Sequence, residues 1–126
     1  MTLILDAGAF VAWERGKSSV AALLKVEWAA ERIPVTHAGV IGQVWRGGAG
    51  RQAGLAKLLA GVDVRPLDEP LGRRAGMLLG AVRRRDVVDA ALVLLARDGD
   101  VIVTSDPDDI VPLAIAADLH VDVVEV

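Results

Sequence analysis

The chain has 126 residues, 53% of them hydrophobic, no cysteine and a formal net charge of −3 at pH 7. That length suits one domain over residues 1–126 and excludes two. The lack of cysteine excludes disulfides and thiolate metal sites, and the weakly acidic balance excludes a bulk polyanion binder.

Short β-branched runs alternate with longer helical stretches, the pattern of an α/β fold with a parallel sheet. Thr2 to Leu5 reads as the first strand. A helix follows from Ala7 to Arg15, stopping near Gly16, and a second runs from Ser18 or Ser19 to Arg32. Ile33 to Thr36 is a short second strand, with Pro34 tolerable near an edge. Thr36 is placed to cap a helix over His37 to Arg46, which Gly47 and Gly48 break. Helix resumes from Arg51 to Leu59, and Val62 to Arg65 is a third strand. Asp68 caps a helix entered through Pro70 and reaching Val82. Asp86 caps the next, Val87 to Arg97, ended by Gly99. Val101 to Thr104 is the fourth strand. Asp106 caps a helix with Pro107 first inside, running to Ala117, and Val121 to Glu125 closes the pattern.

No apolar run approaches the roughly 20 residues of a membrane helix. The opening Met1 to Phe10 carries Asp6 and reads as a strand rather than a signal peptide. The expectation is a soluble cytoplasmic protein with no membrane partner.

The carboxylates fall at telling places. Asp6 ends the first strand, Asp106 follows the fourth, and Asp86 and Asp89 open the helix before that strand. In open parallel sheets, ligands bind outside the carboxyl ends of the strands, where strand order reverses. Several carboxylates in one crevice either raise one another's pKa or recruit a cation. Oxygen ligands without cysteine favour Mg²⁺ or Mn²⁺, ions that generate a hydroxide nucleophile and stabilise phosphodiester attack. Asp86, Asp106, Asp89 and Asp109 also suit helix N-termini without any metal. Asp6 fits that plainer account less well, because it directly follows Leu3-Ile4-Leu5 and has no Lys or Arg close by in sequence. Arg outnumbers Lys eleven to three. Arg is the better bidentate phosphate ligand, which makes Arg46 and the run Arg83, Arg84 and Arg85 candidate phosphate contacts. His37 and His120 are isolated and read as surface or capping residues.

Four segments resemble the PIN-domain family, in order and across essentially the whole chain. They are Ile4-Leu5-Asp6-Ala7-Gly8-Ala9, Pro34-Val35-Thr36 leading to Gln43-Val44-Trp45-Arg46-Gly47, Asp86-Val87-Val88-Asp89-Ala90-Ala91-Leu92, and Val103-Thr104-Ser105-Asp106. The resemblance implies a three-layer fold with a five-stranded parallel sheet in order 3-2-1-4-5 and helices on both faces. It further implies a Mg²⁺- or Mn²⁺-dependent endoribonuclease, similar to VapC-like toxins of toxin–antitoxin pairs, with Asp6, Asp89 and Asp106 as metal ligands. Thr104 or Ser105 would supply a supporting hydroxyl, with Asp86 and Asp109 in reserve. An RNA substrate, a homodimer and a small inhibitory antitoxin protein are implied as partners. One departure stands out: Gln43 occupies a position where the family usually has Glu. Gln is neutral and binds a hard cation more weakly, so a weakened or inactive PIN domain that binds RNA or protein without cutting is the alternative. A phospho-acceptor receiver domain is a second α/β rival. It calls for a Lys after a late strand, whereas Lys17, Lys25 and Lys57 all come early.

Overall fold

The computed structural model describes residues 1–48, 50 and 52–126. Its sheet grows outward from Leu3–Leu5 (β1), an apolar strand buried along its whole length. The remaining strands are Val35–His37 (β2), Asp63–Arg65 (β3), Val101–Thr104 (β4) and Asp122–Glu125 (β5). All pairings are parallel, in the order β3-β2-β1-β4-β5. The expected fold class and strand order are therefore observed. Burial explains which strands lie at the edges. β1, β2 and β4 are largely enclosed, whereas β3 is exposed throughout and β5 carries exposed Asp122 and Glu125. Edge charges of this kind also discourage a further strand from adding to the sheet.

Seven helices among the described residues complete three layers. Ala7–Glu14 (α1) packs against Ser18–Ala29 (α2), Ala38–Val44 (α3) and Ala53–Leu59 (α4). Glu69–Val82 (α5), Val87–Val93 (α6) and Pro107–Ala116 (α7) pack on one another. One core runs through all of this, built on Phe10, Leu24, Leu55, Leu92, Ile102, Ile110 and Leu113. The chain builds β1, β2 and β3 toward one edge, then crosses over to β4 and β5 on the other side of β1. The reversal of direction thus lies between β1 and β4. The same order separates this sheet from the 2-1-3-4-5 sheet of receiver domains. No described helix is long and apolar enough to cross a membrane.

Several element ends differ from expectation for local reasons. β2 extends to His37 because Thr36 and His37 pair with Val64 and Arg65. Thr36 is then inside the sheet, its hydroxyl donating to Leu5 O at 2.8 Å, and the cap of α3 passes to His37. α6 ends at Val93 rather than near Arg97, because Leu95 and Ala96 turn back with tighter bonds to Leu92 O and Val93 O. α4 starts at Ala53; the expected start at Arg51 lies outside the described residues.

Candidate metal centre

Asp6 is fixed from both sides. Its backbone N–H donates to Val103 O at 3.0 Å, which ties the end of β1 to β4. One carboxylate oxygen accepts the Ala7 N–H at 2.7 Å and so caps α1. The other accepts the Thr104 hydroxyl at 2.7 Å. The Thr104 oxygen in turn accepts the Asp106 N–H at 3.1 Å, so a three-residue chain of bonds joins Asp6 to the turn after β4. Asp6 is only 6% exposed. Burial pushes its carboxyl above the ordinary range, Thr104 and Ala7 pull it back, and the charges of Asp106 and Asp86 push it up again.

Gly8 allows this close junction. A Cβ there would lie 2.4 Å from the Ser105 hydroxyl and 2.6 Å from the Ser105 backbone N. The first turn of α1 and the turn after β4 meet at the distance that a missing side chain permits.

Asp86 and Asp89 arrive on the first turn of α6. Asp86 caps that helix as expected, accepting the Val88 and Asp89 N–H groups at 3.0 and 3.1 Å. Asp89 is held up at about 7, first by burial and then by the charges of Asp86, Asp6, Asp109 and Asp106. Five aspartates from three helix N-termini therefore share one field at the carboxyl ends of β1 and β4.

The other candidate positions divide. Asp106 precedes α7 but makes no capping bond, contrary to expectation; its carboxylate accepts from the Ser105 hydroxyl at 3.4 Å. Asp109 already has a counter-ion, the Arg84 guanidinium at 3.2 Å. With Arg83, Arg85, Asp86 and Asp89, this pair lines a cleft of about 290 Å³. Arg83 caps α5 in the left-handed conformation, φ 56°. Arg46 lies elsewhere, folded back onto Gly42 O and Trp45 O at the end of α3. Gln43 is exposed on α3, and among the described residues no hydrogen bond joins it to the aspartates. A second cationic cleft, of about 240 Å³, lies beside Gly8 and Ser105 and is lined by Arg15 and Lys17. Sequence reading missed this pair, whose only signal was two cations flanking Gly16 after the first helix. Of the two places open to His37, capping is observed and the surface is not: the ring caps α3 and is fully buried.

The donor set fits a hard divalent cation. It consists of carboxylate and hydroxyl oxygens, Asp6 and Asp89 form no salt bridge among the described residues, and a carboxyl held near 7 by burial and then by its acidic neighbours is one that added positive charge would relieve. The carboxylates are coupled rather than closed into a cage: among the described residues, no three His, Cys, Asp or Glu side chains converge as a ready ligand set. No family model matches the chain, and no curated protein matches it.

Proposed function

We propose that the chain is a Mg²⁺- or Mn²⁺-dependent endoribonuclease of the VapC-like toxin type, working in the cytoplasm and restrained by a small antitoxin protein. The observation that carries this reading is the placing of Asp6, bonded through Thr104 to the turn of Asp106, at the strand-order reversal, in a field of aspartates that includes Asp86 and Asp89 on the first turn of α6. Asp6, Asp89 and Asp106 are the residues that would hold the ion. When bound, such an ion supplies a nucleophile at neutral pH and neutralises charge on the phosphate under attack.

The chain's own groups have separate tasks. The Thr104 hydroxyl aims one oxygen of Asp6. Asp86 secures the helical turn that carries Asp89. Arg83 and Arg85 are exposed beside the centre, where guanidinium groups bind flanking phosphates. An antitoxin that brought a cation to this acidic pocket would compete for the same field, and a homodimer remains part of the proposal.

The test is cleavage of single-stranded RNA by wild type, Asp6→Asn and Asp89→Asn, each with Mn²⁺ and with EDTA. The expected result is cutting by the wild type with Mn²⁺ alone. Equal cutting by both variants would remove these residues from the reaction. The neutral amide of Gln43, exposed on α3, favours a second reading as a non-cutting RNA- or protein-binding module. Its signature would be Mn²⁺ binding with RNA left intact, and cutting gained by Gln43→Glu.

A further inference from the structure

The buried imidazole of His37 belongs to no step described so far. It is 0% exposed and sits where β2 passes into α3. Its Nδ1 accepts the Gly39 N–H at 3.0 Å. That bond assigns the ring proton to Nε2, which then donates to Val88 O at 2.9 Å. Val88 lies between Asp86 and Asp89 on the first turn of α6, and Asp86 accepts its N–H. One ring thus spans from the sheet and the start of α3 to the turn that carries two aspartates of the centre.

The surroundings are shaped for this ring. A Cβ on Gly39 would stand 2.8 Å from its Cε1, so the ring occupies the space where a side chain would otherwise project. β1, which carries Asp6, is joined to the same strand by the Thr36 hydroxyl on Leu5 O. β2 therefore holds the two sides of the centre in register: Asp6 through Thr36, and Asp86 with Asp89 through His37.

We propose that His37 is a positioning residue for the acidic centre, fixing the α6 turn that carries Asp86 and Asp89 relative to Asp6 and Asp106, with which Asp89 would hold a divalent cation. This inference rests on the proposed reading of those aspartates as cation ligands. Residues that orient metal ligands from behind characteristically change metal affinity about 10–100-fold when lost, and an effect of that size is expected here. An apolar ring of similar size would fill the space but would leave the Gly39 N–H unpaired and Val88 O without its side-chain donor. A Gln amide offers an acceptor and a donor that can take both places.

The experiment measures Mn²⁺ binding by titration calorimetry on the whole chain, with folding followed by circular dichroism. Wild type and Asp89→Asn come first: tight binding that Asp89→Asn weakens supports the cation-site reading, and equal binding by both defeats that reading and the inference with it. His37→Phe is then expected to weaken Mn²⁺ binding about 10–100-fold in the folded protein, with His37→Gln recovering most of the loss. Gly39→Ala, which displaces the ring without changing its chemistry, is expected to weaken binding in the same direction and serves where His37→Phe does not fold. Leu55→Ala is the control for stability alone, because Leu55 is fully buried in α4. Wild-type affinity in folded His37→Phe or Gly39→Ala, or an equal loss in Leu55→Ala, would overturn the positioning role while leaving the cation site standing.

Discussion

Replacing Asp89 with Asn should strengthen the metal-free fold while removing its response to divalent cations. The Asp89 carboxyl moves from 3.8 to about 7 on folding. A raised carboxyl binds its proton more tightly in the folded than in the unfolded state, so stability falls as pH rises from about 4 to about 7 and is level above that. At roughly 1.4 kcal/mol per pKa unit, the unscreened cost above the window approaches about 4 kcal/mol. Asp89 is only partly buried, and solvent screening brings this to about 2 kcal/mol. Against it stands the favourable interaction of an anion with the α6 N-terminus, roughly 0.5 kcal/mol. Burial and repulsion together outweigh it, and Asp89→Asn should gain about 1–2 kcal/mol in EDTA at about pH 8, or roughly 4–8 °C in Tm. At about pH 4 the gain should vanish, because Asp89 is then protonated in wild type too. Wild type should recover about 2.7 kcal/mol in Mn²⁺ at a hundred times its dissociation constant; the variant should recover little. Thermal unfolding across pH, with EDTA or Mn²⁺, gives all four quantities. A gain independent of pH would show that charge is not its origin, and an undiminished Mn²⁺ response would remove Asp89 from the site.

Thr104→Val keeps the shape of a fully buried side chain but leaves an oxygen of Asp6 without its donor. A loss of about 1–3 kcal/mol in urea unfolding is expected, with weaker Mn²⁺ binding; unchanged values in both would show the bond to be idle. The Arg15 and Lys17 cleft should contact RNA. In the non-cutting Asp89→Asn background, Arg15→Ala with Lys17→Ala should flatten the salt dependence of single-strand binding by about 1.4 in the log–log slope, two contacts at roughly 0.7 each. An unaltered slope would exclude the cleft from the RNA path.

The alternation of strands and helices and the acidic positions were legible in the sequence because each rests on local chemistry, whereas the strand order was reached only through the family resemblance. Asp68 and Asp86 precede helices as caps, and both make the bonds expected of them. Apolar triplets marked the central strands. What escaped was set by long-range pairing. The extension of β2 by one residue at its end follows from its register with Val64 and Arg65, which no short window contains, and it changes Thr36 from a cap into a buried bridge to Leu5. His37 became legible only with Val88 beside it, 51 positions away. That Asp106 makes no capping bond was hidden by the strength of the Asp-Pro helix-start signal, and the pairing of Asp109 by a counter-ion from the turn between α5 and α6.

The bond from Thr104 to Asp6 spans 98 positions, so the acidic pocket does not exist until both of these distant stretches have been made. A growing chain can dock β1 with β2 early, but Asp89 and Asp106 join it only when the last third of the sequence folds back across the sheet. Contacts so distant in sequence form slowly. That order of assembly leaves the Asp6 carboxylate without the Thr104 hydroxyl, and away from the charges of Asp86 and Asp106, until β4 and the elements around it have docked.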